Sequence, residues 1–170
     1  MTWDSRAYSP ESPRRSAKKM DLPIQRSNGG SSEEAIRAFE KRRRVSLPSD
    51  YREFLVAHDG ADFVHNTLKL DDPVGGRYEL SLRELRGIHE SGNELFRSLE
   101  SAQQCFSDRI SNAYLIIGSD WGGNQLLMAV THPHKVFWWD HEDESVVSIA
   151  EGFTDLLCRI VPDPPRKKSP

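Results

Sequence analysis

The segment from Ile36 to Gly60, IRAFEKRRRVSLPSDYREFLVAHDG, narrows the possible folds of this chain more than any other stretch. It reads as two amphipathic helices joined at a Leu-Pro corner and stopped by Asp-Gly. Ser31-Ser32-Glu33-Glu34 has the form of a capping box, with Ser31 at the cap and Glu34 three residues on. Ala35, Ile36 and Phe39 follow at helical spacing. Arg42, Arg43 and Arg44 fall at the C-terminal end, where cations complement the helix dipole, so this basic run reads as a solvated helix end. Leu47 precedes a proline and is pushed to an extended conformation, which stops the first helix. Ser49 or Asp50 is placed to cap the second. Tyr51, Phe54, Leu55 and His58 then share one face at i, i+3, i+4 and i+7. Gly60 is expected to take the left-handed position that closes this helix. His58 reads as a packed structural histidine.

A chain of 170 residues suits one domain with its own core. Residues 1–19 and 163–170 are rich in Pro, Ser and Lys/Arg and are expected to be disordered tails around a domain at 20–162. The tails hold eight of the 23 Lys/Arg and three of the 26 Asp/Glu, which leaves 15 against 23, or −8, for residues 20–162. An acidic domain argues against direct nucleic-acid binding and suits a basic protein partner. The N-terminus lacks the apolar region of a secretory signal, and no stretch approaches the roughly 20 apolar residues of a membrane span. The expected location is the cytoplasm. Two cysteines, Cys105 and Cys158, make neither a disulfide framework nor a zinc site. Cys158 falls on an apparent apolar helix and is expected in the core.

Beyond Gly60, Thr67 to Leu70 and Tyr78 to Leu82 alternate as strands, punctuated by Asp71-Asp72-Pro73 and Gly75-Gly76. Leu82, Leu85, Ile88, Leu95, Phe96 and Leu99 recur at helical spacing, which predicts a broken helical region interrupted near Gly92-Asn93. Tyr114 to Ile117, Leu126 to Val130 and Val136 to Trp139 read as three strands. The connections at Asp120–Asn124 and Thr131–His134 are short and imply an antiparallel meander. Ser148, with Glu151 three residues on, predicts the start of a final helix. Its stripe would be Ile149, Phe153, Leu156, Leu157 and Ile160, with Pro162 ending it.

Four segments in this order resemble the SUKH superfamily. They are Ile36–Glu40 with Leu47–Leu55 and His58-Asp59-Gly60; Leu115–Asn124; Lys135–Glu142; and Ile149–Leu157. Together they span roughly residues 24–161. Members often carry Asn where this chain has Asp59, and a smaller residue where it has Trp121. The resemblance implies a single α+β domain with a mostly antiparallel sheet and helices packed on it. It also implies a non-enzymatic role. Bacterial members include immunity proteins that bind and neutralise a cognate toxin, often a nuclease. The alternative is a regulatory or scaffold protein, like the fungal Smi/Knr regulators of cell-wall synthesis.

Residue chemistry locates the expected contact surface. On the strand Val136–Trp139 successive side chains alternate between faces, so Val136 and Trp138 share one and Phe137 and Trp139 the other. Both faces are apolar. If helices cover only one, the second needs a loop, the segment around Leu22–Ile24, or a partner. The acidic run Asp140-His141-Glu142-Asp143-Glu144 follows directly. A nuclease must present a basic surface, and an acidic inhibitor both masks it and speeds association. The expected partner-binding residues are therefore Asp120, Trp121, Trp139, Asp140, Glu142, Asp143 and Glu144. No catalytic residue, cofactor, metal or membrane contact is expected, and the chain is expected to be a monomer or weak dimer. His132, His134 and His141 are a poor metal set. The best enzyme reading, a thiol hydrolase using Cys105 with His89 or His141, has no local sequence support.

Overall fold

A computed structural model describes residues 22–71, 77–89 and 98–163. The expected disorder of residues 1–19, the turns at Asp72-Pro73 and Gly75-Gly76, and the interruption at Gly92-Asn93 with Leu95 and Phe96 lie outside the described residues. The C-terminal tail's first residue is described: the Asp163 N–H donates to the His65 carbonyl at 2.7 Å, and its carboxylate accepts from Thr67 Oγ1 at 2.8 Å.

The described residues form a seven-stranded antiparallel sheet and a small three-stranded one, with four helices, in a single α+β domain. Strand order in the large sheet is β1 (Ile24–Ser27), β2 (Ala61–Phe63), β5 (Leu82–Leu85), β6 (Tyr114–Asp120), β7 (Gln125–Ala129), β8 (Val136–Trp139) and β9 (Val146–Ala150). The small sheet runs β10 (Ile160–Pro162), β3 (Asn66–Asp71), β4 (Arg77–Leu80). The predicted meander is β6 to β8, each strand antiparallel to the next, and β9 extends it by a fourth strand that the sequence did not predict.

The helical hairpin is α1 (Glu33–Arg43) and α2 (Ser49–His58). Ser32, not Ser31, caps α1: its hydroxyl accepts from the Ala35 N–H at 3.1 Å. Ser31 is instead buried, and its N–H donates to the Leu55 carbonyl of α2 at 2.8 Å, which holds the chain one residue short of the predicted cap. Pro48 occupies the cap position of α2, and no side chain caps that helix. The helix closes through two left-handed residues, Asp59 (φ 46°) and Gly60 (φ 98°), rather than Gly60 alone. Ile36, Phe39, Tyr51, Phe54 and Leu55 are buried as the stripes require. His58 is partly buried, with its ring 5.4 Å from that of Phe54.

Two expected helical segments are strands. Leu82 and Leu85 lie in β5, and both reach the same core because the register against β6 shifts between Leu82 and Glu84. That extra residue places an i, i+3 pair on one face of a strand, which mimics helical spacing. The helix that does form, α3, is Leu99–Cys105. Likewise Ser148 and Ile149 belong to β9, and α4 starts only at Phe153 after Gly152. Glu151 therefore has no capping-box role, and its N–H donates to the Asp155 carboxylate at 3.0 Å. The helix ends at Arg159, and the chain continues into β10 through Pro162. Cys158 is exposed, not in the core, because the buried stripe of α4 is Phe153, Leu156 and Leu157.

Two apolar clusters form on opposite faces of the large sheet. The first takes Ile36, Phe39, Tyr51, Phe54, Leu55, Phe153 and Leu156 from α1, α2 and α4, with Val136 of β8. The second is smaller: Ala102 of α3, Ile110, Ile116, Leu127 and Trp139, with Phe106, Tyr114 and Phe137 against it. Strand β8 alternates between them, as its sequence requires. The cover on its second face is α3 and the turn after it. Leu22 and Ile24 pack on the first cluster instead.

Candidate functional site

Three chain segments meet at one end of the large sheet: the β6–β7 turn, the β8–β9 turn and the start of β5. Asp120 ends β6 and is 3% exposed. Its carboxylate accepts from the Asn124 N–H at 3.0 Å, Asn124 Nδ2 at 2.9 Å and Trp138 Nε1 at 3.0 Å. A buried carboxylate holding three donors fixes the turn. Gly123 takes the left-handed conformation (φ 95°) that turn needs. Trp121 at its tip is 59% exposed, with the Arg83 guanidinium 5.5 Å from its ring centre.

Asn124 ties this turn to the next. Its Oδ1 accepts from the His141 N–H at 3.1 Å and sits 2.7 Å from His141 Nδ1. The acidic turn is braced from within as well. Asp140 accepts from the Glu142 N–H at 2.7 Å, and Asp143 from the Ser145 N–H at 2.9 Å. The Ser145 hydrogen bonds hold the Asp143 carboxyl below its usual range. Glu144 adopts a left-handed backbone (φ 60°). Arg109, from the turn after α3, donates to Glu144 Oε1 at 2.8 Å and to the His141 carbonyl at 2.7 Å. Its guanidinium lies 4.7 Å from the ring centre of Trp139.

Trp139 is 2% exposed, closed over by Arg109 and by Phe106 at 5.8 Å. Of the seven expected contact residues, Asp120 and Trp139 are thus buried supports. Trp121, Glu142, Asp143 and Glu144 are exposed, and Asp140 is partly so. All seven sit at this end of the sheet. Sequence reasoning missed Arg109 and Arg83, whose partners are distant in sequence. It also missed Val146 and Val147, exposed at the start of β9.

Behind the site lies a buried polar network. Arg86 pairs with Glu84 at 2.8 Å and donates to the Gly118 carbonyl at 2.8 Å and Gln125 Oε1 at 3.0 Å. Ser119 Oγ donates to Glu84 at 3.0 Å. The Tyr51 hydroxyl donates to the Arg86 carbonyl at 2.9 Å, and burial pushes its pKa well above the usual phenol value. These hydrogen bonds and the Arg86–Glu84 pair link α2 to the strands that carry the site.

The histidines of the enzyme reading have other partners. His89 Nδ1 is engaged by Asp59 at 2.5 Å, and His141 Nδ1 faces Asn124. Neither is hydrogen-bonded to Cys105, which is exposed on α3. His132 and His134 lie in the β7–β8 turn, at the opposite end of β8 from His141. No group of three or more His, Cys, Asp or Glu among the described residues is arranged to hold a metal. No described helix is long and apolar enough to cross a membrane.

The sequence profile of the SMI1 / KNR4 family (SUKH-1) matches residues 30–159. A relative from Bacillus subtilis (strain 168), named SPbeta prophage-derived uncharacterized protein YokK, is 28% identical over 148 residues. That alignment covers 77% of this chain and 75% of the relative.

Proposed function

The chain belongs to the SMI1 / KNR4 family (SUKH-1), and on that premise we propose that it is a non-enzymatic immunity protein that binds and neutralises a basic protein toxin. The observation that carries this reading is the acidic turn Asp140–Glu144. It is exposed, braced by Asn124 and Arg109, and set beside the exposed Trp121. A rigid anionic surface with an aromatic anchor binds a basic partner with little ordering cost. Even after Arg109 and Arg83 are counted, the four carboxylates of the turn outnumber the two guanidinium groups. The prophage origin of the Bacillus relative suits a gene of conflict between bacteria. A cytoplasmic location follows from a role of protecting the producing cell.

The test is co-expression with candidate toxin domains, scored by rescue of growth. A Glu142→Lys/Asp143→Lys double variant is expected to lose protection, and its residual toxin binding to lose most of its salt dependence. Unchanged protection and affinity in that variant would rule this surface out. Cys105→Ala is expected to protect as well as the parent; loss of protection with the fold intact would favour a thiol hydrolase instead.

A further inference from the structure

We propose that β9 is a docking edge, and that the partner adds a basic, extended segment to it as an eighth strand of the large sheet. This deepens the proposed partner-binding role and rests on it. Strand β9 ends the sheet, and among the described residues no strand lies beyond it. An edge strand turns the N–H and C=O of every second residue outward, ready to pair with another chain.

Proteins blunt such edges with Lys, Pro, bulges or a covering helix. Here the register shift against β8 leaves Ile149 as the extra residue, so the bulge sits at the far end. Val146, Val147 and Ser148 keep regular pairing with Trp139, Trp138 and Phe137, and none of the three is charged or a proline. Val146 is 45% exposed and Val147 38% exposed, although their side chains point to opposite faces. The helices therefore leave this half of the strand open on both sides, while Ile149 and Ala150 are buried.

Charge selects the occupant. The chain enters the open half of β9 directly from Glu142, Asp143 and Glu144, all exposed. An incoming strand with Lys or Arg towards that turn, and aliphatic residues over Val146 and Val147, complements both features. A second copy of this chain does not. Antiparallel self-pairing over residues 146–148 brings Glu142 or Asp143 of one copy beside Glu151 of the other. Parallel self-pairing sets the two acidic turns side by side. Like charges in such positions oppose pairing.

The probe is a synthetic peptide alternating Lys/Arg with Val, added to the isotope-labelled full chain and followed by NMR. Its control is the same peptide with Glu in place of every cation. The expected result is shifts and slowed amide exchange centred on Val146–Ser148 with the basic peptide only. Affinity is expected to fall about tenfold in Val146→Lys/Val147→Lys, a double change at exposed positions that leaves the thermal transition in place. Shifts confined to Trp121 and Glu142–Glu144 would mean end-on contact and overturn strand addition while leaving the acidic surface intact. Absence of any shift also overturns it. A dimer in sedimentation that the double Lys variant dissociates would make a second copy the occupant and equally overturn it. Peptide docking on β9 without rescue from any toxin would keep the strand site and sink the immunity role.

Discussion

At the scale of single residues, Asp59 shows how the end of α2 organises a distant segment. Its carboxylate accepts from the Ile88 N–H at 2.7 Å and, more weakly, the His89 N–H at 3.4 Å. Its carbonyl accepts from Asn28 Nδ2 at 2.7 Å. The strand leaving β5 thus passes directly over the helix end, and only glycine fits at the crossing. A Cβ on Gly87 would stand 1.9 Å from the Asp59 carbonyl oxygen, and backbone cannot rotate aside as a side chain does. Gly87→Ala is therefore expected to lower stability by about 3 kcal/mol, read from the denaturant midpoint. Gly152 is the control: nothing lies within 4 Å of a Cβ there, and its φ of −178° is ordinary extended backbone. Gly152→Ala is expected to change stability by less than about 0.5 kcal/mol. Equal effects at the two glycines would refute the crossing as the cause.

At the scale of elements, helix α4 is capped by another helix. It begins after Gly152 and has no side-chain cap of its own. Asp50 of α2 supplies the acceptor, taking the Thr154 N–H and hydroxyl, each at 2.8 Å. Asp50→Ala should cost about 1 kcal/mol, while Asp50→Asn should recover part of it, measured by thermal or denaturant unfolding. His58 on α2 adds a pH dependence. Partial burial lowers its pKa below the usual 6.5. As pH falls through 6.5 the unfolded chain takes up the proton first, so stability declines; as pH rises through that window stability is regained. Above it, the contribution is flat. His58→Gln should remove that component of the slope, and an unchanged profile between about pH 5 and 7 would exclude it.

The same elements mark what sequence could disclose. The α1–α2 hairpin and the β6–β8 meander were legible because their apolar spacings have one solution each. The segments at Leu82–Leu85 and Ser148–Ile149 were not. A bulge in β5 gave strand residues a helical spacing, and Ser148 with Glu151 imitated a cap where a strand was still pairing with β8. For the site, the acidic turn and Trp121 could be read directly. The burial of Asp120 and Trp139 could not, because it depends on Trp138, Phe106 and Arg109 arriving from elsewhere.

At the scale of the whole molecule, charge is segregated and the segregation is held mechanically. The basic end of α1 is moderated by α3, where Glu100 lies 3.4 Å from Arg42 and 3.7 Å from Arg43. The acidic turn has Arg109 as its cation and depends on Asn124 for position. Asn124 is thus the joint between two hairpin tips: one tip carries Trp121, the other the carboxylates. Asn124→Ala removes the acceptor of the His141 N–H and one donor to Asp120, whose carboxylate keeps Trp138 Nε1. Stability should fall by about 1–3 kcal/mol, because Asp120 remains buried with fewer donors. Amide exchange at Glu142–Ser145 should quicken selectively. Partner affinity should weaken through the cost of ordering the freed turn, by about 0.5–1.5 kcal/mol for each side chain that must be re-immobilised. Glu142→Ala should do the reverse: stability and exchange unchanged, affinity lower and less sensitive to salt. If Asn124→Ala bound a basic partner as tightly as the parent while exchange in the turn accelerated, rigidity of the acidic turn would have no part in recognition, and charge alone would carry it.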